Sequence, residues 1–199
     1  MPKKVDHDER RRDIAAAVLR LIADRGGESV SLRAVAEEAG VSMGAVQHYF
    51  ETRDEMLLFA LVHANELLGS RLRRAMAAAA APPGPRELWR LLFTQLLPLD
   101  DETRTGARLW AALLARGAVD AATRDLAAQS YANLHAFVAD ALTRAFEAGE
   151  IRADLDLPGA ARRLVSTVEG LRWPVLFGVY TEKQALAVLD AELDSIFGF

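Results

Sequence analysis

Residues 31–53 read SLRAVAEEAGVSMGAVQHYFETR and hold the densest set of side chains suited to recognising another polymer. Ser31, Arg33, Ser42, Gln47, His48, Tyr49, Thr52 and Arg53 carry donors or acceptors, with Met43, Gly44 and Ala45 among them. Gln47 can pair bidentately with an adenine edge, and small residues such as Gly44 and Ala45 let a backbone approach bases closely. Tyr49, Thr52 and Arg53 can each hydrogen-bond a phosphate, helped by the positive end of a helix starting there. This is the chemistry of holding double-stranded DNA, and nothing else in the chain competes with it as a reactive centre. The absence of cysteine excludes thiolate metal sites, disulfides and cysteine nucleophiles. His7, His48, His63 and His135 are scattered, and no phosphate-cradling glycine loop or serine-nucleophile motif occurs. The sequence therefore points to no metal, no cofactor and no enzymatic activity.

To share one face, those side chains need two short helices locked at a turn. Ser31 is a good N-cap for a helix that buries Leu32, Val35 and Ala36 and stops at Gly40. Ser42 caps a second, running to about residue 48, and the glycine between them permits a tight turn. Val35, Ala36, Ala39, Val41 and Val46 are small and apolar, so the two helices can cross closely, as in a helix-turn-helix. The spacing alone also fits an ordinary corner between two helices of a bundle.

The wider pattern resembles the tetracycline-repressor (TetR) family of bacterial regulators. It is carried by Ser31, Val35-Ala36, Ala39-Gly40-Val41-Ser42, Gly44, Gln47-His48-Tyr49-Phe50 and Arg53, and is close over residues 8–60. Gln47 stands where an aromatic is usual, and Arg53 where lysine is more common. The QHYF run, Trp110 and the 149–170 stretch resemble, more weakly, the subgroup containing the choline-responsive betaine repressors. The family resemblance implies repression of transcription by a DNA-bound dimer, in which helices 8 and 9 of two subunits pack as a four-helix bundle.

The rest of the chain reads as helix throughout, with no sustained period-2 alternation. Before the motif, a helix over 8–25 places Ile14, Val18, Leu21 and Ile22 on one face and ends at Gly26-Gly27. After it, a long helix opens on the capping box Thr52–Glu55 and runs into the alanine tract 77–81, broken by Pro82-Pro83-Gly84-Pro85. Further helices are expected over 85–97, 102–116 and 120–148, then one with Pro158 in its first turn and one from the capping box Thr181–Gln184. Proline inside a helix loses a hydrogen bond, so a kink or early end is expected near Pro174. The fold class is all-α with about nine helices. Residues 1–53 form a three-helix DNA-binding domain, and 54–199 a helical bundle for ligand binding and dimerisation.

Phe93, Trp110, Leu114, Tyr131, His135, Glu169, Trp173 and Phe177 combine aromatic surface with a few polar groups, which suits a small-molecule pocket in a bundle. Packing accounts for each of them singly as well. Glu169, amid Val165, Val168 and Leu171, must be exposed, paired or used, and facing a pocket it would favour a cationic ligand. Leu164, Val168, Leu171 and Val175 form one apolar stripe, and Leu186, Leu189, Leu193 and Ile196 another. Both suit a homodimer interface, with core packing in a single chain as the competing use.

The net charge is −4 at pH 7, but residues 1–53 carry nine basic and nine acidic side chains, so the acidity lies elsewhere. Lys3, Lys4, Arg10, Arg11 and Arg12 cluster as an arm able to meet phosphates or simply to sit in solvent. No apolar run approaches the roughly 20 residues of a membrane span, and the N-terminus lacks a signal-type segment, so a cytoplasmic protein is expected. The reading is a ligand-responsive repressor with double-stranded operator DNA, a small-molecule effector and a second copy of itself as partners. Helix 4, leading from the DNA-binding domain, would serve as lever. An interaction module or adaptor that has lost specific DNA binding is the alternative.

Overall fold

A computed structural model describes residues 7–78 and 83–198. Lys3, Lys4, residues 79–81 of the alanine tract and Pro82 lie outside the described residues. Within them the chain forms nine α-helices and no strand: α1 (His7–Arg25), α2 (Leu32–Ala39), α3 (Met43–Tyr49), α4 (Arg53–Ala78), α5 (Pro85–Thr94), α6 (Asp101–Gly117), α7 (Ala121–Glu147), α8 (Leu157–Leu176) and α9 (Glu182–Phe197). None is long and apolar enough to cross a membrane.

Compactness divides the chain into one unit of residues 1–70 with 104–125, and another of 71–103 with 126–199. This grouping by compactness differs from the expected functional partition at residue 53, because residues 54–70 and 104–125 group with α1–α3.

In the first unit α1 packs on α2 and α2 on α3. The buried side chains are those the helical period selects: Ile14, Val18, Leu21 and Ile22 from α1, Val35 and Ala36 from α2, and Val46 from α3. Phe50, Met56, Leu57 and Ala60 complete this core. Arg11 lies one turn before Ile14 on the same face. Its guanidinium sits 4.9 Å from the Phe50 ring centroid and 4.4 Å from that of Phe59, beside Glu55 at 3.4 Å. Arg10 pairs with Asp13, and Arg12 lies 3.9 Å from Glu66. The three arginines are thus helix residues with partners, not an arm.

In the second unit α8 packs on α9 and α5 on α9. Trp89, Phe93 and Leu97 meet Val138 and Leu142 of α7, Leu164, Val168 and Leu171 of α8, and Leu189, Leu193 and Ile196 of α9. α5 ends three residues sooner than its apolar pattern suggests. Leu96 and Leu97 donate three residues back, to Phe93 and Thr94, as the chain tightens ahead of Pro98. The residue before a proline is disfavoured in helical conformation, which accounts for the early stop. α8 ends two residues beyond Pro174, with Gly178 in the left-handed region at φ 72°.

Candidate nucleic-acid interface

The helix-turn-helix is built from its caps inward. Ser31 Oγ accepts from the Ala34 amide and Ser42 Oγ from the Ala45 amide, each at 3.1 Å, so both helices start on a satisfied hydroxyl. Between them Gly40 takes φ 66°, a left-handed conformation that costs glycine little, and the Val41 amide returns to Ala36 O at 2.9 Å. Val46 is fully buried, and this fixes the rotation of α3. Met43, Gly44, Gln47 and His48 therefore face solvent, with Ala45 and Tyr49 partly covered. Arg33 and Thr52 are exposed as well. The rings of His48 and Tyr49 lie 5.1 Å apart, and that of His7 from α1 reaches Tyr49 at 4.6 Å.

The entrance to α4 differs from the expected arrangement. The Glu55 amide donates to Thr52 Oγ1 at 3.0 Å, but the Glu55 carboxylate takes the Glu51 amide rather than that of Thr52. Arg53 turns inward: Nε donates to Val30 O at 2.6 Å and Nη2 to Gly27 O at 2.9 Å. Its fork ties the start of α4 to the 3₁₀ turn Gly27–Ser29. A Cβ on Gly27 would sit 2.7 Å from that of Ala112 on α6, and Arg108 of α6 donates to Ala23 O at 2.9 Å. Arg116 adds an ion pair to Asp54 at 3.2 Å. Reading the sequence missed all of these. Only Arg11 left a usable trace, its helical phase with Ile14 and Val18.

The eight expected ligand contacts are divided between the units. Trp110 and Leu114 belong to the first, where Trp110 is buried; the others belong to the second. Phe93 is buried beside Trp89, with ring centroids 5.8 Å apart. His135 and Trp173 are half-buried. Phe177 is 75% exposed, since α8 has ended before it, and so lines no interior pocket. Glu169 is paired: Oε1 lies 2.6 Å from Nη1 of Arg172, and Oε2 accepts from the Tyr131 hydroxyl at 3.1 Å. Burial pulls the Arg172 guanidinium below its ordinary pKa, and Glu169 and Tyr131 oppose that shift.

The two expected dimer stripes are used by the chain itself. Leu164, Val168, Leu171, Leu189, Leu193 and Ile196 are buried in the core of the second unit, with Val175 and Leu186 packed partly buried against it. The large apolar side chains that mark a stripe are those a single bundle needs for its own interior.

The bacterial regulatory protein tetR profile matches residues 14–59, and the BetI-type transcriptional repressor C-terminal profile matches 85–198, more than half of the chain. The chain belongs to the tetR family. The HTH-type transcriptional regulator PksA of Bacillus subtilis (strain 168) is 32% identical over 171 residues, 86% of this chain and 80% of that protein. A solved tetR-family regulator from Rhodococcus sp. has 28% identity and a TM-score of 0.80, over 96% of this chain and 99% of that one. A regulator from Saccharomonospora viridis, solved in complex with choline, has 26% identity and a TM-score of 0.71, over 94% of each chain. This tetR-family protein is thus a DNA-binding transcriptional regulator with a BetI-type C-terminal half, and its α2–α3 pair is the family's helix-turn-helix.

Proposed function

We propose that two copies of this regulator bind a near-palindromic operator in the cytoplasm and that a small molecule held by the C-terminal half changes that binding. The observation that carries the proposal is the exposed face of α3. Met43, Gly44, Gln47 and His48 stand free of the core on a helix whose rotation is fixed by Val46 and whose start is capped by Ser42. Gln47 is the residue proposed to read a base, Gly44 and Ala45 let the helix approach the bases closely, and Ser31, Arg33, Ser42, His48, Tyr49 and Thr52 hold the backbone on either side. Arg53 has a positioning role, holding the α4 entrance. In functional terms residues 1–53 recognise DNA, and 54–199 sense and dimerise.

One helix of seven residues reads too few base pairs for useful discrimination in a genome, and a twofold dimer doubles them. The surface suited to it is the outer side of α8 and α9. Ser166 and Gly170 of α8, and Ala187, Val188, Ala191 and Ser195 of α9, are exposed at helical spacing and small enough for close approach. Between the two helices, Phe177 and Val179 add large exposed apolar side chains, at 75% and 68% exposure.

The choline complex of the Saccharomonospora viridis regulator supports a small-molecule effector here. The ligand would act by a population shift, favouring a state in which the two copies of α3 are wrongly spaced for the operator. The test is selection of bound duplexes from a random pool, followed by footprinting. A twofold-symmetric consensus with half-sites about one helical turn apart, or slightly further, fits the proposal. Retention without sequence preference refutes it.

A further inference from the structure

We propose that His7, at the start of α1, is a positioning residue for operator binding: its ring packs on Tyr49 and holds that phenol where the DNA backbone meets the end of α3. The inference rests on the reading above that Tyr49 contacts the backbone, and it brings α1 into the DNA-binding surface.

The placement follows from the helical phase of α1. His7, Arg11, Ile14 and Val18 are spaced to share one face of that helix. Ile14 and Val18 are fully buried and fix its rotation. One turn before Ile14, the Arg11 guanidinium lies 4.9 Å from the ring centroid of Phe50, the residue that ends α3. One turn earlier again, the His7 ring centroid lies 4.6 Å from that of Tyr49, the planes inclined at 60°. It lies 6.2 Å from that of His48, edge to face at 68°. Successive turns of α1 thus meet successive residues, Tyr49 and Phe50. His48 and Tyr49 are themselves edge to face, at 5.1 Å and 76°. Separations of this size belong to rings in contact, and tilted or edge-to-face geometry is the one ring quadrupoles favour.

The contact matters because of where Tyr49 sits. α3 has seven residues, of which only Val46 is buried. A helix that short has little stability of its own, and Tyr49 is its last residue, where helix ends fray. A phenol left alone there samples several rotamers and loses that freedom on meeting a phosphate. His7 belongs to a helix of 19 residues anchored by its own buried face. Its ring restricts Tyr49 before DNA arrives, so part of the ordering is complete in the free protein. His7 is exposed and Tyr49 only partly covered, so the pair lies at the surface.

The test measures the affinity of the full-length protein for the duplex most strongly retained from a random pool, and for single-base variants of it. His7→Ala is expected to weaken binding about two- to tenfold per half-site, the range for one side chain ordered on binding. The factor is expected to be the same on every duplex, because a phosphate contact carries no sequence information. The urea midpoint of the free protein is expected to stay where it is, since His7 is exposed. His7→Phe keeps the ring and is expected to restore the affinity; His7→Gln keeps a donor without the ring and is not. Tyr49→Phe keeps the ring and removes the hydroxyl being positioned, so in that background His7→Ala is expected to cost nothing further. Rescue by Gln and not by Phe makes His7 a phosphate contact and overturns the positioning role. A His7→Ala loss undiminished beside Tyr49→Phe overturns it too. His7→Ala as tight as wild type, with Tyr49→Phe weakened, overturns the inference and leaves the reading of Tyr49 standing. Tyr49→Phe as tight as wild type overturns both, since no contact is then left to position.

Discussion

Arg53 is the residue for which family resemblance and geometry give opposite expectations, so Arg53→Ala is the sharpest perturbation of the DNA-binding unit. A phosphate anchor lost from the surface leaves stability within about 0.5 kcal/mol and makes the plot of log affinity against log salt shallower by about 0.9. The structure instead gives Arg53 two hydrogen bonds to carbonyls, at 2.6 Å to Val30 O and 2.9 Å to Gly27 O. Hydrogen bonds from charged groups contribute about 1.5–3 kcal/mol each when buried. The side chain is 36% exposed, and water replaces part of what is lost, so roughly 1–2 kcal/mol in total is the expected cost. For a chain of 199 residues this is a fall in Tm of about 2–8 °C, taking about 2–4 °C per kcal/mol. Arg53→Lys keeps the charge but cannot reach both carbonyls with a planar fork, and is expected to recover no more than half of the loss. The assays are urea denaturation of the free protein and operator binding across a salt series, well below the variant's Tm. Unchanged stability with a shallower salt slope would refute the positioning role and restore Arg53 as a phosphate ligand.

Gly27→Ala is expected to destabilise by about 1–3 kcal/mol, because its Cβ would overlap that of Ala112; Ala112→Gly in the same chain should restore most of the loss in a denaturation series. Asp100 caps α6 through the Thr103 amide and pairs with Arg71, and the Arg71 hydrogen bond holds its pKa well below the usual carboxylate range. Its contribution is complete at neutral pH and is lost as pH falls below about 4 toward that depressed value. Asp100→Asn keeps the cap and should cost about 1 kcal/mol or less at pH 7, with the gap to wild type narrowing in acid. Leu189→Asp is expected to unfold the C-terminal unit, since Leu189 is fully buried, whereas Val188→Glu, at 46% exposure, should give folded monomers on sedimentation.

Helix number and order were legible in the sequence because glycine, proline and capping serines or threonines punctuate the chain. The turn at Gly40 and the buried positions Val35, Ala36 and Val46 could be read from spacing alone. Three features escaped for physical reasons. The stripes holding Leu164, Val168 and Leu189 suit a dimer interface and a core equally well in sequence, because periodicity reports that a face is apolar and not what covers it. The exposed small residues Ala187, Val188 and Ala191 carry little hydrophobic signal. Arg53 and Arg11 are cations whose charge alone suggests a surface role, although Arg11 shares a helical face with Ile14 and Val18; their partners are carbonyls and rings distant in sequence. Glu169 was recognised as a carboxylate needing a partner, and the partner three residues on, Arg172, was within reach of ordinary helix geometry.

The account rests on the exposed face of α3 reading bases as part of a dimer. Its most direct test is the base preference of Gln47→Ala measured against wild type on the selected operator and its single-base variants. If Gln47 reads a base, discrimination falls at two positions related by the operator's twofold axis, by about 1–3 kcal/mol at each, and is unchanged elsewhere. Uniform weakening at every position, or loss at one unpaired position only, would contradict the claim.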